Sequence, residues 1–454
     1  MWLVIILTVL NAIMGHMASF AELRVTVAGL PINTIDGLMF LGLALSPFWL
    51  RRASEWGKHR LFAPLMVLCG VSWVGGTAMG LIEFSRNHIE LRELITYSRN
   101  FVAIPIGIFI GYSALTRYKS MRTFTYVAAL SGCVTATLIV RYFVGHAGEV
   151  GANKDINLLR TVDYVQAYAG AASGLFVASV LLGARMFPTL LTAALAAYCV
   201  VGNCASLSRS DWLTTVGMMA AIFTCLPREK MVLRGVQGLF AVVVVVIAVA
   251  IGIEGASRLT GTDFRGKMIT RIHSLLPGEQ EGVKHKAWDS RLYGAQREIE
   301  AGLGSPVIGR GFGIQNTPEM ADAVAYGTRH NAWTNAFAET GLVGLITVSL
   351  IVGGCVVVGR RMVMARTDAT TVLFGALALA TGAYSGLLGA MTGSFNYQRA
   401  GIQLGLMLGL VLRARTMQLS VVREYAGYVD FGAAAADGEQ LPLTPVEAAG
   451  DAYY

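Results

Sequence analysis

Three short stretches of this chain bring together residue types that hold phosphate and move protons. The first is Ser206-Leu-Ser-Arg-Ser-Asp211, a polar turn between two long apolar blocks. Arg209 therefore sits at a membrane boundary. There its guanidinium either marks the interface by snorkelling or clamps phosphate oxygens with two parallel N–H groups. The second is Asp289-Ser-Arg-Leu-Tyr-Gly-Ala-Gln-Arg-Glu-Ile-Glu300, followed by Gly304-Ser-Pro-Val-Ile-Gly-Arg-Gly-Phe-Gly313. Residues 289–302 read as an amphipathic helix with Asp289 or Ser290 as its N-cap and Arg291 at its start. Alone, Arg291 is an ordinary surface arginine; in company it could face a lipid phosphate. Gly309, Gly311 and Gly313 permit a tight irregular turn around Arg310. No strand precedes this GRGFG run and no Lys-Ser/Thr pair follows it, which argues against a nucleotide loop.

The third stretch is Thr328-Arg-His-Asn-Ala-Trp-Thr-Asn-Ala-Phe-Ala-Glu-Thr-Gly-Leu-Val-Gly344. His330 stands just before an apolar block. It could act as a base near neutral pH or serve as an interfacial, structural histidine. Asn331 beside it is a candidate substrate contact. Glu339 follows His330 by about two and a half helical turns, so the two side chains leave opposite faces and are not paired. A hydrogen bond within the bundle, near Asn335 one turn earlier, is the expected role of Glu339.

The sequence has no HExxH, no Walker A loop, no paired-cysteine metal site and no DxD-type acidic pair. A metal that holds a diphosphate needs carboxylates. Arginines must neutralise any diphosphate here, and no metal or cofactor is expected. Cys69, Cys133, Cys199, Cys204, Cys225 and Cys355 lie in or beside apolar blocks without CxxC spacing. They read as small packing side chains rather than a disulfide frame.

The elements that must position these residues are membrane spans. Of 454 residues, 54% are hydrophobic and 14% charged, against about a quarter charged in soluble domains. The apolar residues fall in blocks of roughly 17–24, the length that crosses a bilayer. Such blocks lie near 2–18, 32–50, 62–82, 97–115, 123–144, 164–184, 187–206, 211–227, 235–254, 336–359, 370–391 and 400–412. The expected fold is an all-α polytopic membrane protein of about twelve spans. The expected division is spans one to nine over 1–254, a large polar loop over 255–334, spans ten to twelve over 335–413, and a largely disordered tail over 414–454. Lys and Arg concentrate in alternate short loops, such as Arg51-Arg52, Arg117–Arg122 and Arg360-Arg361. The positive-inside rule makes those loops and both termini cytoplasmic, and puts the 255–334 loop outside. The net charge of +8 follows from these loops. No basic stripe interleaved with aromatics points to nucleic acid.

In this order and topology, the three stretches resemble the O-antigen ligase and O-antigen polymerase family of bacterial membrane glycosyltransferases. The likeness rests on the SxSR turn, the Arg-led helix, the Pro-x-x-Gly-x-Gly-Phe-Gly turn, and His-Asn before Glu-Thr-Gly-x-x-Gly. It covers about residues 200–345; elsewhere only the string of spans matches. The resemblance implies a GT-C-like fold in the bacterial inner membrane, with the active site facing the periplasm. It implies a glycan on undecaprenyl diphosphate as donor and a glycan or glycolipid as acceptor. Arg209 and Arg291 map onto the family's diphosphate-binding arginines, and His330 onto its essential histidine. Relatives more often carry Trp a few residues after the second arginine, which makes Arg297 the alternative to Arg291. A metal-independent, inverting transfer follows. The acceptor is either another lipid-linked repeat unit, for a polymerase, or lipid A–core, for a ligase. A chain-length regulator is a further candidate partner. A twelve-span transporter or flippase is the competing class, but the sequence has no internal repeat and few charges mid-span.

Overall fold

The structure is a computed structural model. It describes residues 1–14, 25–27, 30–32, 34–50, 60–153, 166–206, 208–227, 284–320, 331–392 and 398–435, with single positions between 229 and 266. Among these residues it is helical almost throughout. In chain order the helices are α1 (Trp2–Met14), α2 (Thr34–Leu50), α3 (Phe62–Ser85), α4 (Leu91–Ala114), α5 (Tyr118–Asn153), α6 (Gln166–Leu182), α7 (Thr189–Ala205) and α8 (Arg209–Phe223). Then come α9 (Lys284–Leu303), α10 (Ala332–Ala365), α11 (Ala369–Met391) and α12 (Gln398–Ala435).

Among the described residues, five helices carry segments long and apolar enough to cross a membrane: Phe62–Ser85, Leu91–Ala114, Tyr118–Gly145, Ala332–Ala365 and Ala369–Met391. Shorter apolar helices include Trp2–Ile13, Ala167–Leu182 and Thr189–Ala205. Helices suit these uncharged runs because lipid offers no partner to a backbone N–H or C=O. Apart from positions 236 and 254, the expected block at 235–254 lies outside the described residues, as do 321–330 and the chain after 435.

Three local details go beyond the expected pattern. A short hairpin of β1 (Val25–Val27) and β2 (Leu30–Ile32), with Val25 opposite Ile32, accompanies the helices. Its β-branched Val25-Thr26-Val27 run favours extended backbone. Helix α12 continues to Ala435, into the segment expected to be largely disordered. That stretch contains no proline to stop it. Helix α9 begins at Lys284, ahead of the expected caps at Asp289 and Ser290.

Small residues let the helices approach closely. Gly107 and Gly111 on α4 face Gly405 and Gly409 on α12. A Cβ on Gly111 would lie 2.4 Å from the Leu406 carbonyl oxygen, and one on Gly409 would lie 2.1 Å from that of Ile108. These are two GxxxG motifs packed face to face, the arrangement that brings membrane helices into backbone contact.

Candidate functional site

In the polar turn between α7 and α8, Ser206, Ser208, Ser210 and Asp211 are buried and tied down at several points. Ser206 Oγ lies 2.6 Å from the Asn203 carbonyl and 3.1 Å from Asp211 Oδ2, and accepts the Ser208 N–H at 3.2 Å. Tyr384 of α11 donates its hydroxyl to Asp211 Oδ1 at 3.1 Å. Asp211 is 0% exposed. A carboxylate removed from water needs such donors to offset its lost hydration. Arg209 is the first residue of α8. Its backbone therefore leaves a fixed turn, while its side chain lies outside the described residues.

Helix α9 packs on the start of α10. Glu298 is 1% exposed, and Thr334 Oγ1 donates to its Oε2. Thr334 also lies within the cap of α10. Asn331 Oδ1 accepts the amides of Trp333 at 3.0 Å and Thr334 at 3.3 Å. Asn331 is thus an N-cap in this structure, a role its side chain suits well. His330, the residue before it, lies outside the described residues. Close approach lets the two helices meet: a Cβ on Gly302 would stand 2.4 Å from the Phe337 ring. Arg291 is half-buried and precedes Glu298 by about two turns, which puts both on one face of α9. Arg297 leaves another face. It pairs with Glu300 at 3.1 Å and sits over the Tyr293 ring at 5.7 Å. The hydrogen bond from Gln296 and the Arg297 guanidinium hold the Glu300 carboxyl below its ordinary value.

The glycine turn is a wedge, and its amides are occupied. Helix α10 breaks at Gly341, which has φ 65° and ψ −159°. The break frees backbone groups on both sides, and the segment 306–312 satisfies them. Arg310 N–H donates to the Ala338 carbonyl at 2.8 Å and Gly311 N–H to that of Glu339 at 3.0 Å. In return, the amides of Leu342 and Val343 donate to the carbonyls of Pro306 at 2.8 Å and Val307 at 3.3 Å. Phe312 N–H reaches across to the Gly76 carbonyl of α3 at 2.9 Å. Gly311, at φ 104°, has no room for a side chain, since a Cβ would lie 2.1 Å from the Gly80 nitrogen. Three consecutive amides that a phosphate cradle would offer are therefore spent on helix backbone.

Arg310 points its guanidinium at a carboxylate that the sequence did not single out. Glu83, near the end of α3, is buried at 3% exposure. His88 Nδ1 lies 2.8 Å away, Arg86 Nη1 3.3 Å and Arg310 Nη2 3.7 Å. Asn335 and Glu339 are both buried on α10. Asn335 Oδ1 has no hydrogen-bond partner among the described residues, while Glu339 gives its backbone carbonyl to the wedge.

The structure thus brings Glu298 of α9 to the start of α10 beside Asn331, and the wedge to the break of α10, with Arg310 on the α3 side; Arg291 lies about two turns before Glu298 on the same face of α9. Glu298 and Asp211 were missed. The signal for Glu298 was its spacing from Arg291; for Asp211 it was an acid two residues beyond Arg209 at a span boundary. Glu83 lies outside all three motif stretches.

Residues 192–349 match the family model described as O-Antigen ligase. No curated protein matches the chain. The matched residues run from α7 into α10 and enclose the 206–211 turn, α9, the wedge and the broken helix. The segment that builds the candidate site, residues 192–349 of this membrane protein, is thus similar to the O-antigen ligase family model.

Proposed function

We propose that the chain is a glycosyltransferase that moves a glycan from undecaprenyl diphosphate to a sugar hydroxyl of a second lipid-linked repeat unit. The observation that carries this reading is the O-antigen ligase match, which spans Arg209, Arg291 and His330 together. The acceptor hydroxyl attacks the anomeric carbon while the bond from that carbon to the diphosphate oxygen breaks. The electron pair leaves on the lipid diphosphate, and His330 takes the hydroxyl proton. A positioned general base contributes about 10²–10⁴-fold. Arg209 and Arg291 hold the diphosphate and stabilise the charge that grows on it, with Arg297 as the alternative to Arg291. One displacement inverts the anomeric carbon. The glycosyl-diphosphate bond supplies the energy, so neither a nucleotide nor a metal takes part.

The proposed setting is the bacterial inner membrane, with about twelve spans, both termini in the cytoplasm, and residues 255–334 on the outer face. The distribution of Lys and Arg among the short loops supports it. A chain-length regulator is a candidate partner.

The family description, O-Antigen ligase, favours a second reading in which the acceptor is lipid A–core or another final carrier. Deletion and complementation tests both. Surface and lipid-linked glycans are run on gels for wild type, Arg209→Ala, Arg291→Ala and His330→Ala. Loss of long chains with single repeat units still delivered identifies a polymerase. Long chains stranded on undecaprenyl diphosphate identify a ligase. Unchanged glycans in the deletion strain contradict both.

A further inference from the structure

Helix α9 is polar in composition, yet one of its faces presents apolar side chains to the outside. Leu292, Ile299 and Leu303 are 62%, 42% and 62% exposed. They are spaced by seven and four residues and form one stripe along the helix, edged by the exposed Gln296, whose amide donates to Glu300 at 2.9 Å. The opposite side, with Gly294, Glu298, Ala301 and Gly302, is the buried side. Single exposed apolar residues are ordinary on a protein surface; three on one face of an otherwise polar helix are less so.

The stripe also does not end with the helix. It runs on through Val307 and Ile308 of the wedge, which are exposed as well. Ile308 then meets α3, lying 3.8 Å from the position of a Cβ on Gly75. Pro306 and Val307 are hydrogen-bonded to the start of the second half of α10, where Leu342 and Ile346 are exposed. Helices α3 and α10 both have the length and composition of membrane spans. Their exposed apolar side chains are their lipid-facing surface, and the α9 stripe continues that surface. Beside the stripe stand Tyr293, Arg297 and Glu300. The Arg297 guanidinium is held over the Tyr293 ring and against Glu300. Aromatic and charged groups of this kind flank an apolar face that lies at headgroup depth.

We propose that α9 and residues 305–308 form an interfacial ridge seated in the bilayer, with Leu292, Ile299 and Leu303 dipped among the acyl chains of the leaflet at this end of α3 and α10. The occupant of the apolar face is lipid. The inference rests on α3 and α10 spanning the membrane, and holds whichever glycan is transferred. Seated there, α9 holds Arg291 about a quarter turn from the stripe, at the depth of a lipid-linked phosphate.

The test uses the full chain in lipid nanodiscs. Single cysteines at Leu303→Cys and Glu300→Cys carry an environment-sensitive fluorophore. The wild-type protein is the blank, because all of its cysteines are at least partly buried. Leu292→Cys is a second probe of the stripe should Leu303→Cys fold poorly. The expected result at 303 and 292 is blue-shifted emission, quenched several-fold more by spin-labelled lipid than by aqueous iodide, with the reverse at 300. Iodide quenching at 303 and 292 equal to that at 300 would place the stripe in water and overturn the proposal. Emission at 303 and 292 reached by neither quencher would mean that protein covers the stripe, either residues 228–283 of this chain or a second copy. That result would overturn it too.

Discussion

The amide of Gly311 donates to the main-chain carbonyl of Glu339 at 3.0 Å. This bond and its neighbours join the loop after α9 to the broken middle of α10. A membrane helix interrupted at Gly341 would otherwise leave carbonyls and amides without partners in an apolar setting, at a cost of several kcal/mol for each group. The loop supplies those partners and docks on α3 in the same few residues.

The wedge has no tolerance for Cβ atoms. Gly311→Ala and Gly341→Ala combine a positive φ with overlap onto Gly80 and Val307. The backbone conformation alone costs about 1–3 kcal/mol. Both variants are expected to lower the melting temperature of the purified protein and the yield of monodisperse material. Gly70→Ala on α3, where a Cβ meets nothing within 4 Å, is expected to be neutral or to stabilise by about 0.5–1 kcal/mol. Equal melting temperatures for all three variants would contradict the wedge.

Thr334 connects the cap of α10 to the buried Glu298. Thr334→Val keeps the shape of the side chain and removes the hydroxyl, leaving a buried carboxylate short of a donor at a cost of about 1–3 kcal/mol. If this contact positions Asn331 and, next to it, His330, kcat for glycan transfer falls about 10-fold or more while the donor KM changes little. Thr334→Ser is expected to restore the rate. A purely structural contact would lower stability in Thr334→Val without splitting kcat from KM.

Much of this was legible from the sequence, and the reasons for the rest are physical. Uncharged runs of about 20 residues announce helices because lipid leaves the backbone no other solution. The glycines of 309–313 announced an irregular turn, but not its target. That target, Gly341 and the carbonyls before it, is defined by a break inside an apolar run, where periodicity carries no signal. The GxxxG pairs at 107–111 and 405–409 were readable, but their partnership joins segments far apart in the chain. Glu83 was hidden for the same reason: its link to Arg310 is made by folding and leaves no local spacing. Glu298 and Asp211 lay beside the arginines that drew attention, and only burial distinguishes them from surface acids.

Glu83 is expected to matter more than the arginine beside it. Glu83→Ala removes a buried acceptor of charge-assisted contacts from Arg86, His88 and Arg310, a loss of about 1.5–3 kcal/mol. Arg86 is 59% exposed, and Arg86→Ala is expected to cost less than about 1 kcal/mol. Thermal unfolding in one detergent gives the order. A larger loss for Arg86→Ala would contradict the cluster as described.

Tyr384 lies far in sequence from Arg209 but supports the turn that carries it. Tyr384→Phe leaves Asp211 Oδ1 without its hydroxyl donor, and stability is expected to drop by about 1–3 kcal/mol. A secondary fall in transfer activity is expected through the start of α8. An unchanged melting temperature would show that the Tyr384–Asp211 contact carries no weight.

The most direct measurement is transfer by the purified protein in nanodiscs, with an undecaprenyl-diphosphate-linked oligosaccharide as donor, its repeat unit as acceptor, and chelator present throughout. Released lipid diphosphate and extended glycan are quantified for wild type, Arg209→Ala, Arg291→Ala and His330→Ala at matched folded protein. The expected result is turnover by wild type in chelator and a loss of at least about 100-fold in His330→Ala, with large losses in both arginine variants. Full activity in His330→Ala, or wild-type turnover that appears only when a divalent ion is restored, would contradict a metal-independent transfer driven by His330.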